Sequence, residues 1–437
     1  MVQIHSFDQT EHIESHVFRP DRYRQLFTLL SKPNAISRGA GLSYCIAGAS
    51  QAGSTILSTE FNRFLAFDPD RNILRVEPGV TLGELFDFAL AHNLVPPVLA
   101  GHPLITVGGA IAMNIHGKNQ FRTGNFGDHI QRLTLYHPAH GEIDCSPDDN
   151  AELFWLTVGG LGLTGHIVSA EIALKPLNGT SMTVERHKTN NLIDAAQTLQ
   201  ALSGQADYLY SWHDFNRSDD RFGCGTIYLE RHTPNAPAQP YQPKQCTKAA
   251  TQPMPWPLFN RFSIPLISRV YDLKEKWAPQ SETKNLHQAL FPIAGKELYF
   301  RLFGPSGFRE YQALFPFENW EKAARQVMEI IKHSAVPITL SSLKLFQGER
   351  KLLNFSGQGI CLALDAPNTA NSAKLFSRLD DIVIGASGIA NIAKDSRLNA
   401  ATVRAMYGEG YTQFRDVLRA YDPGMHFQST LRSRLDV

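Results

Sequence analysis

The chain has 437 residues, too many for one compact core, so two domains are expected. Its 42 basic and 41 acidic side chains nearly cancel, which leaves no electrostatic basis for nucleic-acid binding, so an anionic substrate would need a local basic pocket. Five cysteines (Cys45, Cys145, Cys224, Cys246 and Cys361), odd in number and without a C-x-x-C pair, argue against a disulfide framework or zinc site and suit a reducing compartment.

The opening residues, Met1 to Gln9, have neither a basic n-region nor an apolar h-region, so no Sec signal peptide is expected. Ile36-Ser37-Arg38-Gly39-Ala40-Gly41-Leu42-Ser43-Tyr44 reads as a strand entering a glycine turn. Without a Cβ at Gly39 and Gly41, backbone N–H groups can approach a pyrophosphate, and Arg38 can add charge-assisted bonds. A plain tight turn accounts for the same residues, and the G-x-G-x-x-G spacing of a dinucleotide helix is absent. Asn72 to Val80 alternates and stops at Pro78-Gly79, as a strand does. Thr81 with Glu84 predicts a capping box, opening a helix with Leu82, Leu85, Phe86, Ala89 and Leu90 on one face.

The uncharged run Leu94 to Ile115 has the length of a membrane span. Pro96, Pro97, His102, Pro103 and three glycines make it instead a buried turn-and-strand segment. Its second half opens the segment Val107-Gly108-Gly109-Ala110-Ile111-Ala112-Met113-Asn114-Ile115-His116-Gly117-Lys118-Asn119, in which Gly108 to Met113 offer a small apolar surface for a flat ring system or for close helix packing. Gly159, Gly160, Gly162 and Gly165 repeat the theme after Ala151-Glu152-Leu153-Phe154-Trp155.

Near Lys175 to Gly179 this texture stops. Tyr208 to Trp212 is strand-like, and an insertion rich in proline and aromatics follows at roughly 233 to 270, with the apolar stretch Met254 to Ile267 inside it. Trp320 to His333 carries Ala323, Val327, Ile330 and Ile331 on one helical face. Gly359 to Leu364 is a strand-like run in which Cys361 reads as a core cysteine. Short helices and a tight Asp422-Pro423-Gly424 turn close the chain. The expected class is α+β, without internal repeats.

The order of these motifs resembles the vanillyl-alcohol-oxidase class of flavoproteins, with PCMH-type FAD-binding domains. Within it the chain looks most similar to the decaprenylphosphoryl-β-D-ribose 2′-oxidase group. Carrying the likeness are Ser37-Arg38-Gly39-x-Gly41-x-Ser43-Tyr44, Thr106 to Ala112, Ile115-His116-Gly117-Lys118-Asn119, Gly304-Pro305-x-Gly307-Phe308-x-x-Tyr311-Gln312, Lys344-Leu345-Phe346 and Ala393-Lys394-Asp395-Ser396-Arg397. The resemblance implies an FAD domain of two α+β lobes over 1–178. A substrate domain on an antiparallel sheet with flanking helices follows over 179–390, with the apolar insertion at about 233–285. Residues 391–437 then return to the FAD domain.

It also implies site residues. FAD would be held by Arg38, Gly39, Ala40, Gly41, Leu42, Ser43, Tyr44, Gly101, Thr106, Val107, Gly108, Gly109, Met113, Asn114, Ile115, His116 and Gly117, with Ile167 and Asn391 close by. Leu42 stands where many members of the class carry a tethering histidine, so non-covalent FAD is expected. Lys394 is the expected catalytic residue, acting electrostatically, with His116 as a proton shuttle. Tyr44, Lys118, Trp212, Gln312, Lys344, Phe346 and Cys361 would meet the substrate, and no metal is implied. Departures from the group's pattern are Cys45, Glu310, Gly359 and Asn391.

The implied reaction is FAD-dependent oxidation of a polyprenyl-phosphoryl ribose, the first half of an epimerisation that an NAD(P)H-dependent keto-reductase would complete. Without a signal peptide or transmembrane helix, the expected location is cytoplasmic or peripheral at the inner membrane, with the apolar insertion touching the bilayer. An alditol or aldonolactone oxidase of the same fold, and a flavin-binding protein without turnover, are the alternatives.

Overall fold

A computed structural model describes residues 1–217, 220–233 and 253–437. Most of the proline-rich half of the insertion, with Cys246, lies outside the described residues. Helices and several sheets are mixed along the chain. The first sheet pairs Val2–His5 antiparallel with His12–Phe18, then adds Ser54–Leu57 and Ala35–Arg38 in parallel. The second is antiparallel throughout, in the order Phe64–Asp68, Ile73–Val76, His166–Ala173, Ile130–His137, Gly141–Cys145.

The Thr81 capping box forms as expected: Thr81 accepts from Glu84 N–H, and the Glu84 carboxylate accepts from Thr81 N–H at 2.8 Å. The helix it opens, Leu82–Ala91, buries Leu82, Leu85, Phe86 and Ala89. The run Leu94 to Ile115 departs from the turn-and-strand expectation. After the two-residue strand Leu94–Val95 and a proline-broken loop, Val107–Ala112 is a short helix capped by the Thr106 side chain. Small residues decide this, because a Cβ on Gly108 would lie 2.8 Å from Pro78 Cβ. No helix among the described residues is long and apolar enough to cross a membrane.

Two further antiparallel sheets follow. One has the order Tyr208–His213, Gly225–Thr233, Ser181–Thr189, Ser281–Asn285; the other Leu340–Phe346, Gly359–Pro367, Phe308–Phe315, Ile389–Ala390. Their facing edges are joined where Leu343 N–H donates to Ser211 Oγ at 3.0 Å. Phe317–Ser334 buries Trp320, Ala323, Ala324, Val327 and Ile331 against this layer and packs beside Ala370–Gly385.

The last helices, Ala400–Tyr407, Glu409–Tyr421 and Thr430–Leu435, carry the chain back to its beginning. Gln428 N–H donates to Ala35 O at 3.0 Å, and Arg434 pairs with Glu11. The Asp422-Pro423-Gly424 turn is tied down by two histidines. Asp422 Oδ1 lies 2.7 Å from His426 Nδ1 and 3.6 Å from His137 Nε2, and all three groups cluster against the second sheet, with His137 and Asp422 buried. Ala139 N–H donates to His137 Nδ1, which leaves the His137 proton on Nε2, facing the carboxylate.

Against the upward push of burial, hydrogen bonds from the His426 backbone N–H and Nδ1, with His137 close by, hold the Asp422 carboxyl well below its ordinary range. Its stabilisation is therefore complete above the unfolded carboxyl value of about 3.9 and is lost as the pH falls below it. Asp422→Asn is expected to cost on the order of 3 kcal/mol at pH 7 and only moderately less at pH 3, where the carboxyl is still ionised in the fold. Urea unfolding at the two pH values measures this.

Candidate active site

A cavity of about 1480 Å³ opens between the glycine-rich loops of the first half and the paired sheets of the second. Ordinary small-molecule sites occupy ~300–1,000 Å³, so there is room for a large cofactor and a second molecule. Its first wall is built by Arg38 to Tyr44, Gly101, Thr106, Gly108, Gly109, Met113 to Lys118 and Ile167. The backbone here runs too close for side chains. A Cβ on Gly39 would sit 2.2 Å from Thr106 Oγ1, and Gly41, at φ +74°, would put one 2.5 Å from the Arg38 guanidinium.

Among the described residues, none of the backbone amides of Gly39, Ala40, Gly41 and Leu42 donates a hydrogen bond to protein. Beside them, Arg38 reaches His5 O at 3.5 Å, and burial lowers its pKa. A row of unspent N–H donors beside a desolvated cation is an anion cradle, suited to a diphosphate.

The opposite wall comes from the Phe308–Phe315, Leu340–Phe346 and Gly359–Pro367 strands and the turn after Ile389–Ala390. Gln312 Oε1 receives two donors, Asn391 Nδ2 at 2.6 Å and His116 Nε2 at 3.2 Å. His116 therefore carries its proton on Nε2, and its buried Nδ1 lone pair has no protein partner. The ring packs edge-on against Phe346, with centroids 4.8 Å apart. Burial, with Lys344 and Lys394 nearby, pushes its pKa down to about 3. Such an imidazole orients a hydroxyl by accepting its hydrogen bond but holds a transferred proton poorly.

Lys394 lies with its Nζ 3.7 Å above the Tyr44 ring and 3.2 Å from Glu310 Oε2. The turn that carries it is pinned from two sides. Arg397 bonds Asp395 at 2.6 Å and Asp380 at 3.0 Å, while Ser43 Oγ and Cys45 Sγ donate to Ala393 O and Ile392 O. Cys45 thus holds the end of the glycine loop against the lysine turn.

Lys118 is placed differently from its expected substrate-binding role. Its Nζ donates to Ala289 O at 2.9 Å, pairs with Glu230 at 3.3 Å and lies 4.1 Å over Tyr210, so its charge is already answered inside the wall. Lys344 also lines the cavity and makes no hydrogen bond or ion pair among the described residues. Trp212 lines the cavity as well.

Val107, Phe346 and Cys361 do not reach the lining. Val107 and Phe346 are fully buried in the core, Phe346 as a support for His116. Cys361, opposite Lys344 in the strand register, is 1% exposed, and burial pushes its thiol up to about 12. Not singled out from the sequence as site residues were Glu230, Tyr299 and Asp365. Asp365 carried a faint signal, being two and four residues along one strand face from Ala363 and Cys361.

Residues 32–146 match the family model described as an FAD binding domain. Over 417 residues the chain is 30% identical to the decaprenylphosphoryl-β-D-ribose oxidase of Mycolicibacterium smegmatis, spanning 92% of this chain and 89% of that one. The chain belongs to the decaprenylphosphoryl-β-D-ribose oxidase family. It is also similar to an uncharacterised protein of Streptomyces coelicolor, 27% identical over 82% of this chain and all of the other. A third relative is a mitochondrial L-galactono-1,4-lactone dehydrogenase of Oryza sativa, 28% identical over 42% of this chain and 31% of its own.

This oxidoreductase is therefore an FAD-dependent flavoprotein, and the unspent amides at Gly39 to Leu42 beside Arg38 suit the FAD diphosphate. The thiols of Cys45, Cys145 and Cys361 are buried, while Cys224 is partly exposed. Iodoacetamide applied to the native flavoprotein is expected to modify Cys224 at least tenfold faster than Cys361, as followed by peptide mass spectrometry.

Proposed function

We propose that this flavoprotein oxidises the 2′-hydroxyl of a polyprenyl-phosphoryl-β-D-ribose to the ketone, the first half of an epimerisation finished by an NAD(P)H-dependent keto-reductase. The observation that carries the reading is the convergence on one cavity of Lys394 over Tyr44, the His116–Gln312 pair, both joining the two walls, and Lys344, unpaired among the described residues, beside the anion cradle. In this reading residues 1–178 hold FAD between two lobes, 179–390 hold the substrate and 391–437 return to close the site. Leu42 offers no nucleophile, so FAD is bound without a covalent tether.

Bound FAD supplies a hydride acceptor. The chain's own residues do the rest. His116 Nδ1 accepts the hydrogen bond of the reacting hydroxyl and fixes its direction. His116 Nδ1 relays the hydroxyl proton to solvent as the hydride leaves, and the Lys394 ammonium stabilises the negative charge that develops on the oxygen. Lys344 meets the phosphate, with the Trp212 indole as an apolar wall.

The lipid part has a matching surface. The helix Ser263–Trp277 leaves Leu266, Val270, Leu273 and Trp277 exposed on one stripe, continued by Phe262 and Trp256. Arg261, Arg269, Lys274 and Lys276 accompany them. An amphipathic basic helix of this kind lies in the headgroup plane of an anionic bilayer. Lys274 and Trp277 also line the cavity, so a docked helix would set the cavity mouth at the membrane surface.

Anaerobic mixing tests the substrate. The prenyl-phosphoryl ribose is expected to bleach the flavin, and alditols and aldonolactones are not. Lys394→Ala should slow bleaching by about 100-fold or more, whereas Lys344→Ala should mainly raise KM. Bleaching only by unphosphorylated lactones would favour the reading suggested by the galactonolactone dehydrogenase similarity.

Flotation with anionic vesicles should carry the wild-type protein upward and leave Leu266→Glu/Val270→Glu behind. Equal flotation of both would remove the helix as the contact.

A further inference from the structure

Beside Lys394 the cavity wall contains two carboxyl groups. Glu310 and Asp365 are direct partners in the antiparallel register of Phe308–Phe315 and Gly359–Pro367, so their side chains stand next to each other on the same face. Both line the cavity, and they are 8% and 4% exposed. Glu310 Oε2 holds the Lys394 ammonium at 3.2 Å. Asp365 Oδ2 accepts from the Tyr299 hydroxyl at 2.9 Å, and that hydroxyl also lies 2.8 Å from Thr339 Oγ1. Asp365 Oδ1 is buried without any hydrogen-bond partner.

We infer that Glu310 and Asp365 form a carboxylate pair carrying one proton, on Asp365 Oδ1, and that this pair positions the Lys394 ammonium in the active site. The inference rests on the oxidase reading of the cavity. Two adjacent carboxyls out of water do not both ionise. The lysine decides between them, because its bond to Glu310 stabilises the anion there and leaves the proton to Asp365. The unpartnered Oδ1 is where that proton belongs, since Oδ2 already accepts from Tyr299. Burial and then Glu310 push the Asp365 pKa well above the carboxylate range, against the pull of Lys394 and Lys344. The other titratable groups facing the pair are Tyr44, Tyr299 and Cys361, all raised by burial and neutral at pH 7.

One proton thus sets the charge at the lysine. With Asp365 neutral, Glu310 and Lys394 form a one-to-one pair and the ammonium stays over Tyr44. Ionising Asp365 would add a second negative charge beside the ammonium and weaken its hold on developing negative charge in the substrate. Glu310 and Asp365 are positioning residues in this scheme, with no bond made or broken at either.

Infrared difference spectra of the FAD-loaded protein test the pair without any substrate. A protonated-carboxyl stretch is expected at pH 7 that titrates away at alkaline pH and is missing from Asp365→Asn. Flavin bleaching then reads the consequence. Wild-type rate should fall along an alkaline limb that Asp365→Asn lacks. Glu310→Gln should lower the rate at least tenfold at every pH, with partial rescue by Glu310→Asp. Tyr299→Phe, which removes a bond favouring the ionised form, should move the alkaline limb and the infrared titration to higher pH. It serves as the second variant if Asp365→Asn fails to fold. Burial also raises Asp8 to about 7, so the pair is read from the part of the wild-type band that Asp365→Asn removes; no such removed band at pH 7, or an unmoved titration of it in Tyr299→Phe, would overturn the pair. A wild-type flavin left unbleached by the lipid sugar would instead count against the substrate, and the infrared readout would still decide the pair.

Discussion

Positive charge taken out of water must be compensated, and the second half of this molecule is arranged around that requirement. Three lysines line one cavity, Lys118 on the glycine-loop wall and Lys344 and Lys394 opposite it. Lys118 is answered by Glu230 and a backbone carbonyl, and Lys394 by Glu310 and the face of Tyr44. Lys344 makes no such bond among the described residues and keeps its charge for whatever enters. Each compensating carboxylate lies on a strand, where the sheet holds it at fixed register. An ion pair left to a loop would spend much of its energy on ordering two flexible side chains.

The same economy governs the turn that carries Lys394. On residues alone, Ala393-Lys394-Asp395-Ser396-Arg397 has the composition of a solvated turn. Folded, Asp395 is buried, Arg397 spans Asp395 and Asp380, and Tyr311 donates its hydroxyl to Asp380 at 3.0 Å. The lysine is thereby held on rigid support, which an electrostatic role needs, because a cation that must reorganise during the reaction returns little of its attraction.

The first half solves a different problem, the approach of backbone to an anion. Gly39 and Gly41 leave no room for a Cβ, and Thr106 serves both as cap of the Val107–Ala112 helix and as the group that crowds Gly39. One side chain therefore registers the two glycine segments against each other. The exposed apolar stripe of Ser263–Trp277 ends at the same cavity, which Lys274 and Trp277 line.

Local signals determined much of this without coordinates. The Thr81–Glu84 cap, the strand ending at Pro78-Gly79, the apolar face around Val327 and the glycine loops all rest on interactions between residues near in sequence, so their patterns survive in the linear chain. The motif order carried FAD and the family for the same reason. Tertiary structure alone decided the charge pairing. Glu230 lies 112 positions from Lys118, and Asp365 meets Glu310 only through strand register. It also decided that Cys361 lies beneath the lining and that His116 keeps its proton on Nε2, because desolvation and hydrogen-bond partners arise from groups that only folding brings together.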